Sequence, residues 1–321
     1  MSFNPFVADD AIRSRIDALA KGVGPQVRSR VETLLGARRH APADNLGSVL
    51  PREDVATLVA QFGLAGPEEL MLLTLKCAET IARPPISKFY VGAIGLERET
   101  GALIFGGNVE FPGTHLGFTL HGEGFVFTRA FSRGTTVETL ALGEAHPCGH
   151  CRQFLSEFAA IHELTLIDPL GHRLQMADLL PWPFDPAYLG ETGAMPGTEY
   201  TPSLEVGEHA LPDQTVALLL HAGRRAYAPY SRCPGAVVLT LHDGAMVAGA
   251  TIESVAYNPT IGPLQAALVD LIAHGYDYGD IESATLGTPG GEVVDYTAST
   301  SELLARIAPD APLTAVSWQR R

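Results

Sequence analysis

Basic residues are scarce in this chain: 22 Lys and Arg stand against 36 Asp and Glu, giving a formal charge of −14. No dense cationic cluster compensates, so a polyanion is repelled at long range. Small molecules are expected as partners in preference to nucleic acid. Cysteine is scarce too. Cys77, Cys148, Cys151 and Cys233 are too few and too scattered for a disulfide framework. The one close pair argues for metal binding in a reducing compartment, while Cys77 and Cys233 read as core packing. Long hydrophobic runs are missing as well: no stretch approaches the roughly 18 apolar residues of a membrane span. The opening MSFNPFVADDAIRSRIDALA lacks the basic start and apolar run of a signal peptide. A cytoplasmic location without membrane contact is the expectation.

What is present points to folded α/β structure. An apolar content of 46% over 321 residues suits one to three domains. Residues 8–20 and 53–82 carry helical periodicity, punctuated by Pro42 and Pro51. Leu70, Leu72, Leu73 and Leu75 predict a helix buried on more than one side. The pattern then changes to strands at 90–94 and 102–105, joined by a polar turn at 97–101. A helix is expected from about His121, a strand over 137–142, a helix over 148–161 with Phe154, Leu155 and Phe158 inward, and a strand over 164–167. Such alternation describes a sheet covered by helices.

Residues 190–215 form a bridge rich in Pro, Gly and Thr, after which the pattern restarts. Pro85-Ile86-Ser87-Lys88-Phe89 is echoed by Pro229-Tyr230-Ser231-Arg232-Cys233, and Gly107 to Glu110 by Gly249 to Glu253. At the offset between Glu110 and Glu253, His121 falls on Leu264 and Glu123 on Ala266. No second C-x-x-C follows. The expected organisation is a helical N-terminal arm (1–49), a domain that carries the C-x-x-C (50–190) and a degenerate copy without it (191–321).

The chemistry is concentrated in two motifs, His121-Gly122-Glu123 and Pro147-Cys148-Gly149-His150-Cys151. One imidazole and two thiolates give a tetrahedral zinc site with a fourth position left for water, and Glu123 stays free to move protons. H-x-E followed by P-C-x-x-C is the pattern of zinc nucleobase deaminases. Both motifs fall near helix starts, where free N–H groups and the positive dipole end favour thiolate. His150 is read as a loop residue, since a fourth protein ligand would close the water position. Arg152 is expected either against a zinc sulfur or on a solvated helix face. His115 and His146 are surface or supporting candidates.

These residues, with PPISKFYVGAI at 84–94, FGGNVEF at 105–111, PCGHCRQF at 147–154 and YNPTIGPLQAAL from 257, resemble the bacterial cytidine deaminase family in its long, dimeric form. The resemblance covers nearly the whole chain. It implies a duplicated three-layer α/β/α fold with an active N-terminal copy and an inactive C-terminal one. It also implies hydrolysis of cytidine or deoxycytidine to uridine or deoxyuridine and ammonia in pyrimidine salvage. His121, Cys148 and Cys151 would ligate Zn2+, and Glu123 would shuttle protons during zinc-hydroxide attack. Asn108 and Glu110 match residues that hydrogen-bond ribose, Gly122 a backbone contact to substrate, and Phe89 and Phe184 aromatics at the pocket. Tyr257 would reach the neighbouring subunit's site in a homodimer with shared active sites.

The chain departs from the family at Gly122 and Gly124, in the bulky Phe125-Val126-Phe127, and at Glu144-Ala145-His146, where a threonine is usual. Each glycine weakens a helix start by about 0.5–1 kcal/mol, and a displaced pocket wall is expected. Two readings stay open beside the main one: a deaminase of a modified cytosine nucleoside or of a nucleotide, and a catalytically inactive zinc-containing binding protein.

Overall fold

The computed structural model describes residues 6–143, 146–289 and 293–320; residues 1–5 of the opening segment and the Glu144–Ala145 pair lie outside them. The chain opens with two helices. Asp9 caps α1 (Asp10–Gly22) by accepting from the N–H groups of Ala11 and Ile12, and α2 (Gly24–Gly36) starts on proline. After β1 (Val49–Leu50), α3 (Arg52–Phe62) stops where Gly63 adopts φ 63°, and α4 (Pro67–Glu79) buries Leu70, Leu72, Leu73 and Leu75 as its sequence predicts.

Next come the hairpin β2 (Gly92–Glu97) and β3 (Leu103–Gly107), α5 (Gly122–Arg133), β4 (Val137–Leu142), α6 (Gly149–Leu155), β5 (Thr165–Ile167), β6 (Arg173–Gln175) and α7 (Met176–Leu179). The second half holds β7 (Leu204–Val206), α8 (Asp213–Arg225), β8 (Ala236–Leu241), β9 (Met246–Ala250), α9 (Pro263–Ala273), β10 (Ile281–Thr288), α10 (Thr297–Ile307) and β11 (Leu313–Arg320). The sheets run β1-β3-β2-β4-β5-β6 and β7-β11-β10-β8-β9. Their inner strands share one plan, in which an antiparallel hairpin pairs with β4 or β10, which pairs in parallel with β5 or β11.

Strand alternation sorts the layers. Ile94, Leu96, Leu103 and Phe105 face α4 and, beyond it, Ile16, Val27 and Val31 of the arm. Ala93, Ile104, Leu140 and Leu142 face α5 and α6. In the second half Val238 and Trp318 face α8, while Val237, Leu239 and Leu286 face α9. One apolar core joins α5 to α9, so both sheets close over a shared middle layer. Each copy is thus the expected three-layer α/β/α unit.

Three expectations need correction. The helix placed over 148–161 ends at Leu155, because Ala159 N–H donates to Ala194 and Ala194 N–H to Glu157, diverting the backbone into a bridge. The inner faces of Phe154, Leu155 and Phe158 are buried as expected. The 190–215 bridge contains β7, which exists through its pairing with β11, and the start of α8. The repeat offset also changes along the chain. Val109 pairs with Leu120 and Ile252 with Ile261, so the second loop is two residues shorter. His121 therefore corresponds to Gly262 and Glu123 to Leu264, since these are the matching positions at the starts of α5 and α9.

Among the described residues no single helix is long and apolar enough to cross a membrane. The pair α3 and α4 reaches that length only together and is bent by 99°.

Candidate metal centre and active site

The two motifs meet at two helix N-termini. His121 is the N-cap of α5 and Cys148 the N-cap of α6, where its sulfur faces the N–H of Cys151 at 3.5 Å. His121 Nδ1 lies 3.6 Å from Cys148 Sγ and 3.4 Å from Cys151 Sγ, and all three atoms are within 4.8 Å of one another. A tetrahedral zinc with bonds of about 2.3 Å to sulfur and about 2.0–2.1 Å to nitrogen needs ligand separations of about 3.6 Å. The donor set fits. As ligands, these three residues, two of them exposed, would leave a fourth position toward solvent.

Glu123 sits in the first turn of α5 and is 3% exposed. Burial pushes its carboxyl above the usual carboxylate range, with the neighbouring His121 and the Cys151 thiol partly opposing. Burial likewise pushes the Cys151 thiol up, aided by the Glu123 charge; a divalent cation between the sulfurs reverses that balance. A cavity of about 250 Å³ opens beside the ligands, lined by Leu120, His121, Gly124, Cys151, Phe154 and Ile261 among others.

The glycines and bulky residues after His121 have a packing logic. A Cβ on Gly122 would stand 3.1 Å from that of Ala93, which brings the N-terminus of α5 down onto β2, whereas a Cβ on Gly124 would meet nothing within 4 Å. Phe125, Val126 and Phe127 are buried in the core. Phe125 and Val126 occupy space left by Gly106 and Gly95 on the strands, and Phe127 packs edge-on to Phe158 at 5.1 Å. Such an aromatic pair contributes about 0.5–1.5 kcal/mol beyond burial.

Asn108 and Glu110 are buried and form a polar clamp on the 86–91 loop. Asn108 Oδ1 accepts from Val91 N–H and its amide donates to the Phe89 carbonyl. Glu110 accepts from the N–H groups of Ile86 and Ser87 and from the Ser87 hydroxyl. Burial opposes its ionisation, but Ser87, Ile86 and nearby His121 hold its carboxyl below the ordinary range. Phe89, Phe184 and Tyr257 are 62%, 44% and 65% exposed, so plain core packing does not describe them.

The structure corrects two neighbours of the thiolates. Arg152 donates to the carbonyls of Pro147 and Leu179, both at 2.7 Å, and so locks the metal loop from its backbone side without a sulfur contact. His150 belongs to α6 and directs Nε2 at the Asn258 carbonyl, 3.2 Å away in the second copy. His115 Nδ1 accepts from Gly117 N–H. Of the three residues where the family's threonine is usual, Glu144 and Ala145 lie outside the described residues, while His146 hydrogen-bonds Asp168.

A residue that sequence reading passed over ties the halves together. Arg129, 1% exposed on α5, donates to Asp270 of α9 at 2.6 Å and to the Asn45 and Gly47 carbonyls. The two residues occupy equivalent positions once the helix starts are aligned, which is the signal that finds them.

The description "Cytidine and deoxycytidylate deaminase zinc-binding region" matches the chain twice, over residues 66–167 and 176–300. A cytidine deaminase of Vibrio atlanticus is 35% identical over 273 residues, covering 85% of this chain and 90% of its own. One of Vibrio vulnificus is 31% identical over 300 residues, covering 91% and 100%. The chain belongs to the cytidine deaminase family. The solved cytidine deaminase of Mycobacterium tuberculosis shares 33% identity over 34% of this chain and 90% of its own, with a TM-score of 0.31. In this family member the second match contains no counterpart of the ligand set: Gly262 stands where His121 stands, and Cys233 is the only cysteine beyond Cys151.

Proposed function

We propose that the protein is a zinc-dependent deaminase that converts cytidine or deoxycytidine to uridine or deoxyuridine and ammonia. The observation that carries this reading is the tetrahedral spacing of His121, Cys148 and Cys151 beside the buried Glu123, in a chain whose full-length relatives are cytidine deaminases. When bound, zinc supplies a Lewis acid toward the attacking water. The three ligands hold it at two positive helix ends. Glu123 would accept a proton from that water and pass it to the ring nitrogen, then take the proton of the hydroxyl added at C4 and give it to the departing amine. Its burial suits it to carry a proton near neutral pH. Addition of water at C4 and loss of ammonia leave the uracil carbonyl.

Asn108 and Glu110 form the sugar subsite in this reading, with a ribose hydroxyl taking over acceptor capacity that Ser87 now uses. Gly122 offers its backbone to the base. Phe89 and Phe184 flank the pocket, and Tyr257 completes the site of a second copy. Exposure of these three aromatics supports a homodimer with shared sites. The division is an arm over 1–49, a catalytic domain over 50–190 and a non-catalytic copy over 191–321, in a protein of the cytoplasm.

Gly124 favours one variation. It lines the cavity beside the ligands and faces open space, which leaves room for a substituted cytosine ring. Ammonia release from cytidine, deoxycytidine, cytidine monophosphate, cytosine and a 5-substituted cytidine tests both readings. Turnover of nucleosides by the zinc-loaded protein, lowered at least about 10²-fold in Glu123→Ala with zinc retained, is the expected result. Zinc-loaded protein that turns over no cytosine nucleoside refutes it.

A further inference from the structure

A second set of convergent ligands lies next to the first and shares no residue with it. Asp168, just after β5, is 2% exposed, and its two oxygens have separate duties. Oδ1 accepts from the N–H groups of Leu170 (2.9 Å) and His172 (3.0 Å), which fixes the carboxylate within the tight β5–β6 turn. Oδ2 is aimed at two imidazoles, His172 Nδ1 at 2.7 Å and His146 Nε2 at 2.8 Å. The rings are 5.7 Å apart, and the three ligand atoms lie within 4.8 Å of one another.

We infer that His146, Asp168 and His172 form a second site for a divalent transition-metal ion of octahedral preference such as Co2+ or Ni2+. Two imidazoles and one carboxylate on one face are a donor set for such ions, with the remaining positions left to water. The separations suit it. Bonds of about 2.1 Å at right angles need ligand pairs about 3.0 Å apart, and the Asp168 oxygen stands 2.7 and 2.8 Å from the two nitrogens. Each neutral imidazole offers its lone pair once its single proton sits on the other ring nitrogen, so no proton need leave. The buried carboxylate holds the charge inside, and His146 and His172, 35% and 20% exposed, face the water from which an ion arrives. The bound ion would staple the segment that enters Pro147-Cys148 to the β5–β6 turn, and so position the thiolate loop.

Cobalt titration of the full-length, metal-free protein tests the assignment, because only the first site contains sulfur. The first equivalent gives thiolate-to-cobalt charge transfer. The second adds bound metal, counted by mass spectrometry after removal of free ion, without raising that absorption. Two ions per chain at micromolar free metal fall to one in His172→Gln and in Asp168→Asn, the latter keeping the Oδ1 acceptor of the turn. Retained thiolate absorption in both variants reports an intact first site and a folded chain. Saturation of the wild type at one ion, or a second ion that persists in both variants, overturns the proposal.

Discussion

Removing Asp270 tests whether the second copy holds the catalytic helix in place. Its partner Arg129 lies on α5, two turns from His121 and Glu123, and is 1% exposed. Asp270→Ala leaves that guanidinium buried with only the Asn45 and Gly47 carbonyls as acceptors. Breaking a buried pair by deleting one partner costs about 3–5 kcal/mol. Arg129→Met is milder, about 2–3 kcal/mol, because Asp270 is 16% exposed and keeps contacts to His274 and Ala248 N–H. The double variant should cost no more than Asp270→Ala alone, a coupling of about 2–3 kcal/mol. Urea unfolding of all four proteins by circular dichroism gives the cycle. The pH dependence has a definite sign. Burial opposes ionisation of Asp270, but Arg129 and His274 hold its carboxyl below the ordinary range. Its contribution is therefore fully present above about pH 4 and lost as pH falls through the folded value, so the variant's deficit shrinks in acid. A loss under about 1 kcal/mol for Asp270→Ala, or additivity within about 0.5 kcal/mol, refutes the reasoning.

Glu97 is fully buried at the end of β2, where Arg133 (2.6 Å), Thr135 (2.6 Å) and Thr100 donate to it. Burial opposes its ionisation, yet Arg133 and the two hydroxyls hold its carboxyl down. Glu97→Gln should cost about 3 kcal/mol at neutral pH, a deficit that closes as pH falls below about 4, measured as urea midpoints across pH. Two glycine variants should move in opposite directions. A Cβ on Gly249 would stand 2.0 Å from the Ala267 nitrogen and 2.3 Å from the Ala266 carbonyl carbon. Gly249→Ala must lift α9 off β9 at about 3 kcal/mol or more, while Gly124→Ala, with open space, stabilises by about 0.5–1 kcal/mol in the same unfolding assay.

The parts of the molecule that depend on short-range pattern were legible. His121 and Cys148 are helix caps, β4 spans its expected 137–142, and the ligands converge because each motif needs only one turn of helix to present them. What escaped depends on distant partners. α6 stops early because Ala194 captures the backbone beyond it, and the Glu157 that follows accepts from Tyr227, Tyr230 and Val255, 70 to 98 residues away. β7 is three residues that only β11 makes a strand. Arg152 follows the second cysteine, yet its acceptors are set by the Pro147 turn and the end of α7, which no local spacing encodes. The His146, Asp168 and His172 cluster joins a loop to a turn 22 residues away and leaves no periodic signature.

Duplication separates the clamp that Glu110 forms from the sugar contact proposed for it. In the first copy Glu110 accepts from Ile86 N–H, Ser87 N–H and the Ser87 hydroxyl, with Lys88 at φ 58°. In the second, Glu253 accepts from Tyr230 N–H, Ser231 N–H and the Ser231 hydroxyl, with Arg232 at φ 58°. The clamp is present in a copy without the candidate ligand set, so it has a folding role that needs no substrate. Glu110→Gln should destabilise by about 2 kcal/mol, since it weakens hydrogen bonds to a charged acceptor, and Glu253→Gln by less, since burial pushes the Glu253 carboxyl above the ordinary range. Only Glu110→Gln should also raise the KM for cytidine, because only that carboxylate stands near His121. Equal kinetic losses in the two variants would mean that Glu110 acts through the fold alone and that the sugar is held by other residues.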